Sequence, residues 1–593
     1  MISSVSIGNF KAFADKQTLP IKPITLIFGA NSSGKSSIIH SVLLANEIMT
    51  EEKLNMDVHF TKLGGESVDL GGFRQFVNRR IPGKNVLIGI ELKIEKLSDR
   101  LREIFYDFNK INLIVEFGTR KDDFFKTNEL GVLNYEIITD DLPFLKMSRK
   151  EAGLVMDFIE NENIVIKNLL EVIVTSFTTS ENINENDKLS FTEGLNKAIP
   201  ELRAGTDKII PSELLDLSKF NDPRKSSITP VNKENRNEIL QDITKNLIPF
   251  IVNDILSELS ICVNSEFKKI EYLGPLRSFP ERHFNFRKSN DNNWKAGGGY
   301  AWEVVSNNKE VREKVNEWLG AEKLKQKYEL RVIELIPDYL IQNLLPNELS
   351  ELSHDAILQF VLNTYNNQES ADMVFSEIID DFDPQTDNDK TSLFELPIGT
   401  DISELGQSEI INQIVSKWIN FDYKAKEIIQ NIILKRQETL NDLILYDKST
   451  NTQISHRDVG VGISQVLPVL VSAFANKEKL ITIEQPEIHL HPALQAELGD
   501  LFINSALGES KNSFILETHS EHLILRIMRR IRETTEGTLP EGFIPVKPED
   551  VQIVFVKPSD KGAEIINLEI DEEGDFKTKW PDGFFEERAE ELF

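Results

Sequence analysis

At 593 residues, 40% of them hydrophobic and 27% charged, the chain has an ordinary globular composition and room for about two to four domains, which excludes a disordered or fibrous protein. A net charge of -29 excludes a surface coated in basic residues, so any contact with a nucleic-acid backbone is confined to a patch. The single cysteine, Cys262, excludes an internal disulfide; no apolar run approaches the ~20 residues of a membrane span and Met1-Ile2-Ser3-Ser4-Val5 begins no secretion signal, so a cytoplasmic protein without a membrane partner is expected.

Alternation over Ile2 to Ile7 predicts a strand leading into Asn9-Phe10-Lys11-Ala12-Phe13. The apolar run Ile24 to Phe28 predicts a second, buried strand. It ends in Gly29-Ala30-Asn31-Ser32-Ser33-Gly34-Lys35-Ser36, which satisfies G-x-x-x-x-G-K-[ST]. Such a turn converges backbone N–H groups on phosphate oxygens, and a side chain at Gly29 or Gly34 would obstruct that approach. A helix follows from Lys35 through Ile38, Ile39, Val42 and Leu43, so phosphate would meet its positive end. The candidate nucleotide-binding residues are Gly29, Ala30, Asn31, Ser32, Ser33, Gly34, Lys35, Ser36 and Ser37. Lys35 reaches the β- and γ-phosphates of ATP, and Ser36 places its hydroxyl on Mg²⁺.

A first basic run, Arg74, Arg79, Arg80 and Lys84, is a candidate DNA patch. Val86 to Ile94, Asn112 to Phe117 and Leu133 to Ile138 alternate at period two and predict antiparallel strands, closing a first segment at residues 1–140. Residues 141–265 are expected to form a helical insertion, with loops around Ser180 to Lys188 and Asn221 to Asn237. Residues 266–290 return to the head through a turn at Gly274-Pro275. Residues 291–430 are expected as a second, mostly helical insertion with an acidic loop at Asp380 to Asp389, and residues 431–593 as the remainder of the head. No internal repeat or long coiled coil is visible.

In the last segment, Asp458-Val459-Gly460-Val461-Gly462-Ile463-Ser464-Gln465 precedes an apolar helix, so Gly460, Gly462, Ser464 and Gln465 are candidates for a second phosphate reader. Leu480 to Ile483, Ser513 to Leu516 and Asp550 to Val556 predict buried parallel strands, whose C-terminal ends carry ligands in open α/β sheets. Glu484 ends the first and fits a carboxylate that holds Mg²⁺. Gln485 stands where a general base would, and its amide orients water without taking a proton, so slow turnover is expected; Glu487 and Glu517 are both open as alternative bases. His519, after the next strand, is a γ-phosphate sensor candidate. His489 and His491 have metal-pair spacing without completing partners and are expected to shape the loop. Arg526, Arg529, Arg530 and Arg532 form a second basic run.

Taken together, Asn9-Phe10-Lys11, the phosphate loop, Tyr272 to Arg277, Asp458 to Pro468, Glu484 to Pro492, Glu517 to His522 and Trp580 to Phe585 resemble the ABC-type heads of RecF, SMC and OLD-related proteins. They resemble still more the bacterial AAA-type ATPases with a DUF3696-like C-terminus. The resemblance implies an α/β ABC-ATPase head, a mixed sheet with a P-loop core plus an antiparallel β subdomain, split by a large, mainly helical insertion. It implies that the signature of one subunit completes the ATP site of another in a homodimer or higher oligomer. It further implies that Lys11 approaches the phosphates, that Gln75 couples Mg²⁺ to the inserted lobe, and that a separate effector, a nuclease or toxin, is the partner. Relatives of this kind occur in Septu-like and retron-associated anti-phage systems. A DNA-repair or chromosome-maintenance clamp, and an ATP-dependent nuclease acting alone, are the alternatives. The signature lacks the Leu-Ser-Gly-Gly form, and no Toprim-type acidic cluster follows His519.

Overall fold

The computed structural model describes residues 2–51, 55–81, 83–119, 130–151, 153–177, 183–222, 235–277, 292–320, 323–324, 327–335, 440–454 and 461–581. In chain order the strands are β1 (Ile2–Gly8), β2 (Gln17–Pro20), β3 (Ile24–Phe28), β4 (Phe60–Thr61), β5 (Gly65–Asp69), β6 (Val86–Lys93), β7 (Lys110–Thr119), β8 (Leu130–Thr139), β9 (Leu142–Lys150) and β10 (Gly153–Ile159). They continue with β11 (Arg203–Ala204), β12 (Ile270–Leu273), β13 (Tyr328–Leu335), β14 (Leu440–Asp447), β15 (Thr452–Ile454), β16 (Leu480–Glu484), β17 (Ser513–Glu517), β18 (Val551–Lys557) and β19 (Glu564–Leu568).

A six-stranded sheet runs β12-β16-β17-β3-β18-β19, parallel throughout except for β18 against β19. Every residue of β3, β16 and β17 is buried, as parallel strands covered on both faces require. An eight-stranded antiparallel sheet runs β11-β10-β9-β8-β7-β6-β1-β2. One core joins Val42 and Leu43 of the helix Lys35–Thr50, Ile88 and Ile90 of β6, and Leu256 and Leu259 of the helix Arg236–Phe267. This is the mixed α/β architecture expected, a P-loop core with an antiparallel β subdomain.

The segment expected to be a helical insertion from residue 141 opens instead with β9 and β10. Asp140 and Asp141 take positive φ values of 41° and 69°, making a tight reversal that carries the antiparallel sheet onward. Among the described residues, α-helices follow at Ile164–Phe177, Glu185–Ala198 and Arg236–Phe267. Asn184 and Asp187 form a capping box on the second of these, and buried Asp187 also accepts two hydrogen bonds from Arg236, at 2.8 and 2.9 Å. Gly194 lets the same two helices close up, since a Cβ there would stand 2.6 Å from the Gln241 carbonyl oxygen.

Arg236–Phe267 also corrects the expectation that no segment is apolar and long enough for a membrane span: its 32 residues meet both conditions. Leu240, Leu247, Val252, Ile255, Leu259 and Val263 are buried within the protein. Of the second expected insertion, the helices Tyr300–Asn307 and Lys309–Leu319 are present. Residues 336–439, including the acidic loop, lie outside the described residues. Residues 330–445 separate as a second compact unit, within which only the parts of β13 and β14 are described. Near the C-terminus, Trp580 packs edge-on against Phe28 at the end of β3, with Phe555 and Phe576 around it.

Candidate nucleotide site

The turn after β3 has the backbone that its glycines allow. Gly29 has φ 149°, Ser32 61° and Gly34 110°. A Cβ on Gly29 would lie 2.7 Å from both Ser33 Oγ and the Val556 carbonyl oxygen, and one on Gly34 would lie 2.7 Å from Ala12 Cβ. Ala30, Asn31 and Ser32 are exposed at the tip, whereas Ser33 and Lys35 are buried. Lys35 Nζ donates to the carbonyl oxygens of Gly29 at 3.0 Å and Ala30 at 2.8 Å. Burial lowers its pKa, while the charges of Glu517 and Glu487 oppose that shift. Ser36 and Ser37 follow in the first turn of the helix, and the Ser37 N–H donates to the Gly34 carbonyl at 3.0 Å.

Sheet register brings the late acidic residues to this turn. Glu484 lies directly opposite Glu517, and Glu517 opposite Ile27 of β3. The Thr518 N–H donates to the Ile27 carbonyl at 3.1 Å, and the Gln485 N–H to the Glu517 carbonyl at 2.8 Å. Ser36 Oγ donates to Glu517 Oε1 at 3.0 Å, and Glu517 Oε2 is buried without a partner. Burial, reinforced by the neighbouring Glu484 charge, raises the Glu517 pKa to about 7 against the pull of Ser36 and Lys35. Glu484 Oε1 accepts from the Tyr272 hydroxyl at 2.9 Å and stands 3.6 Å from His40 Nε2.

Gln485 is half-buried at φ 47°, a conformation that a non-glycine residue adopts only under constraint. Part of that constraint is Arg277, whose Nη2 donates to the carbonyl oxygens of Glu484 at 3.2 Å and Gln485 at 3.1 Å. Burial pulls the Arg277 pKa down to about 10, with Glu487 opposing. Glu487 Oε1 accepts the His519 N–H at 2.7 Å, and burial raises its pKa. The half-buried His519 imidazole has its pKa lowered, first by burial and then by the charge of Lys35. It is therefore suited to act as a neutral acceptor or donor.

This donor set suits Mg²⁺: a hydroxyl and carboxylates of hard oxygen, with Glu517 Oε2 and Glu487 Oε2 buried without a donor. Among the described residues no group of three or more His, Cys, Asp and Glu forms a metal cage by itself.

The remaining candidates fall at varied distances from this cluster. Lys11, at φ 42° in the turn after β1, places Nζ 2.6 Å from His40 Nδ1 and is lowered in pKa by burial, with Glu484 opposing. Gln75 is exposed on the short helix Phe73–Phe76, joined to that turn through the Lys11 N–H and the Phe76 carbonyl. Gly460 lies outside the described residues. Ser464 and Gln465 are buried inside their own chain, so of the signature residues described only Gly462 is partly open, near the backbone of His489. His489 takes φ 62° and His491 Nδ1 accepts the Ala493 N–H at 3.3 Å, capping the helix Pro492–Leu507.

The arginines of the second basic run are all paired with carboxylates of the same chain. Arg526 and Arg530 both bind Asp500, with further pairs to Glu497 and Glu533; Arg529 pairs with Glu533 and Arg532 with Asp575. Arg74, Arg79, Arg80 and Lys84 remain exposed. Tyr272, Arg277 and His40 are the site neighbours that no motif singled out by role. His40 carried a signal, four residues after Ser36 on the same helix face.

A family model described as AAA ATPase domain matches residues 1–524, and one described as protein of unknown function (DUF3696) matches residues 546–593. No curated protein matches the chain. Among solved structures, the SmcHead bound to the C-winged helix domain of ScpA aligns with a TM-score of 0.32 and 10% identity, covering 96% of this chain and 98% of that one. The SMC head domain from Thermotoga maritima aligns at 0.31 and 9%, covering 96% and 99%. The Smc head domain with an extended coiled coil, bound to the C-terminal domain of ScpA derived from Pyrococcus furiosus, aligns at 0.31 and 10%, covering 96% of each.

Proposed function

The chain belongs to the family of AAA ATPase domains, and on that premise we propose that it is a cytoplasmic, ATP- and Mg²⁺-dependent switch that dimerises around nucleotide and hydrolyses it slowly. The observation that carries this reading is the convergence of Lys35, Ser36, Glu484, Glu517 and His519 at neighbouring strand ends from the two extremes of the chain. Lys35 exchanges two loop carbonyls for phosphate oxygens, and the amides of Gly34 to Ser36 at the helix start bind the anion. Mg²⁺, when bound, neutralises phosphate charge beside Ser36 and the strand-end carboxylates. His519 senses the terminal phosphate, and Gln485 orients water without accepting its proton, which keeps turnover slow.

Residues of a second copy, presented around Gly462, complete each site in a homodimer. The switch acts on a separate effector, a nuclease or toxin, in bacterial anti-phage defence. Any DNA contact falls at Arg74, Arg79, Arg80 and Lys84, which keep their exposure. Isothermal calorimetry with ATP and Mg²⁺, together with phosphate release, tests the core of the reading. Lys35→Ala is expected to weaken ATP binding at least about 100-fold and abolish release; wild-type affinity in that variant rejects the site.

Gln485 also favours a second reading, in which nucleotide is bound and never turned over. Phosphate release by the wild type, lost in Lys35→Ala, removes it.

A further inference from the structure

Two arginines are buried to the same degree, each 5% exposed, and they are used differently. Arg530 gives Nε and Nη2 to Asp500 and Nη1 to Glu533, so every nitrogen of its guanidinium has a carboxylate partner. Arg277 gives only Nη2, and to main-chain carbonyl oxygens, those of Glu484 at 3.2 Å and Gln485 at 3.1 Å. Its Nε and Nη1 are buried without an acceptor. Glu487 supplies the opposing charge but forms no ion pair with it, since Glu487 Oε1 accepts the His519 N–H and Oε2 is buried without a donor. Burying donors unpaired is costly, and an arginine serving stability alone satisfies them, as Arg530 does.

What Arg277 does hold is the end of β16. The strand before it, β12, pairs with β16; after the Gly274-Pro275 turn Leu276 is left 79% exposed, and the next side chain is the buried guanidinium. Gln485 sits at φ 47°, a conformation that a non-glycine residue keeps only where its surroundings over-determine it. Its N–H is fixed by the Glu517 carbonyl at 2.8 Å, and its carbonyl accepts the Ile488 N–H at 3.2 Å. Arg277 is the side chain that joins these main-chain bonds. Resting on the slow-hydrolysis reading above, we propose that Arg277 is a positioning residue for turnover. It holds the Gln485 main chain in its left-handed turn and thereby aims the amide that orients water at the terminal phosphate.

The test measures steady-state phosphate release and ATP affinity of the full chain for Arg277→Met, Gln485→Ala and the double variant. Arg277→Met is expected to lower kcat at least about 10-fold while ATP affinity stays within about 3-fold of wild type. In the Gln485→Ala background the same substitution is expected to cost less than about 2-fold, because the group it acts through is already gone. A wild-type kcat in Arg277→Met or in Gln485→Ala overturns the assignment. So does an equal loss in both backgrounds, which is what a merely structural role gives. Should Arg277→Met fail to fold, Arg277→Lys carries the same comparison: it retains charge without the planar fork, and a loss of at least about 3-fold confined to the wild-type background supports the assignment. Where Gln485→Ala releases no measurable phosphate, Gln485→Asn is the background, since asparagine adopts left-handed backbone more readily and the loss should again shrink. A wild type that binds ATP but releases no phosphate rejects the hydrolysis reading and this inference with it. Wild-type release beside an unaffected Arg277→Met rejects the inference alone.

Discussion

An amide at position 485 offers water a donor and an acceptor but no basic atom, and a positioned base is worth about 10²–10⁴-fold in rate. Gln485 is held in a left-handed backbone conformation by the Glu517 carbonyl, with Arg277 on its own carbonyl, so its side-chain direction is set by the frame rather than by chance. Gln485→Glu is therefore expected to raise steady-state phosphate release at least about 10-fold with little change in ATP affinity. An unchanged rate would mean that another group, or product release, limits turnover. The backbone of the turn after β3 was legible because one motif names its glycines and their conformational needs leave few alternatives. The partners of Glu484 were not: Tyr272 lies 212 residues away, and only sheet pairing brings its hydroxyl to the carboxylate.

At the scale of elements, the helices Pro492–Leu507 and Glu521–Thr535 are tied by Asp500, which accepts from Arg530 Nε at 2.7 Å and Nη2 at 2.9 Å and also binds Arg526. Arg530 is buried and lies 3.8 Å over the Phe543 ring. Removing the shared acceptor leaves one guanidinium buried and only partly paired, a loss of about 3–5 kcal/mol for such a break. Asp500→Ala is expected to lower the thermal midpoint by several degrees, and Asp500→Asn by less. The same pairing explains why this arginine run reads as a basic face in the sequence: its acidic partners Asp500 and Glu497 sit 26 to 30 residues earlier, on another helix. Strands β6, β7 and β8 were readable from alternation. β9 and β10 were not, because Leu142 and Pro143 are exposed and the register shifts between Met156 and Phe158, both of which blur a period of two.

For the whole molecule, the reading requires two copies to meet across nucleotide, and the burial of Ser464 and Gln465 leaves Gly462 as the described signature position open to a neighbour. A Cβ on Gly462 would meet no atom closer than 3.7 Å, so a side chain there is tolerated by the monomer. Gly462→Glu would face the partner's triphosphate with a negative charge. Sedimentation velocity is expected to show an ATP-dependent dimer for the wild type and a monomer for Gly462→Glu, with ATP affinity of the monomer retained; dimerisation of the variant would relocate the interface. The position of β3 has a different consequence, for biosynthesis. Its two neighbours, β17 and β18, come from residues 513–557, so a nascent chain displays both bare edges of that strand while nearly five hundred further residues are added. At ~5–20 residues per second that interval is about 25–100 s, long enough for chaperone capture and for unwanted strand addition.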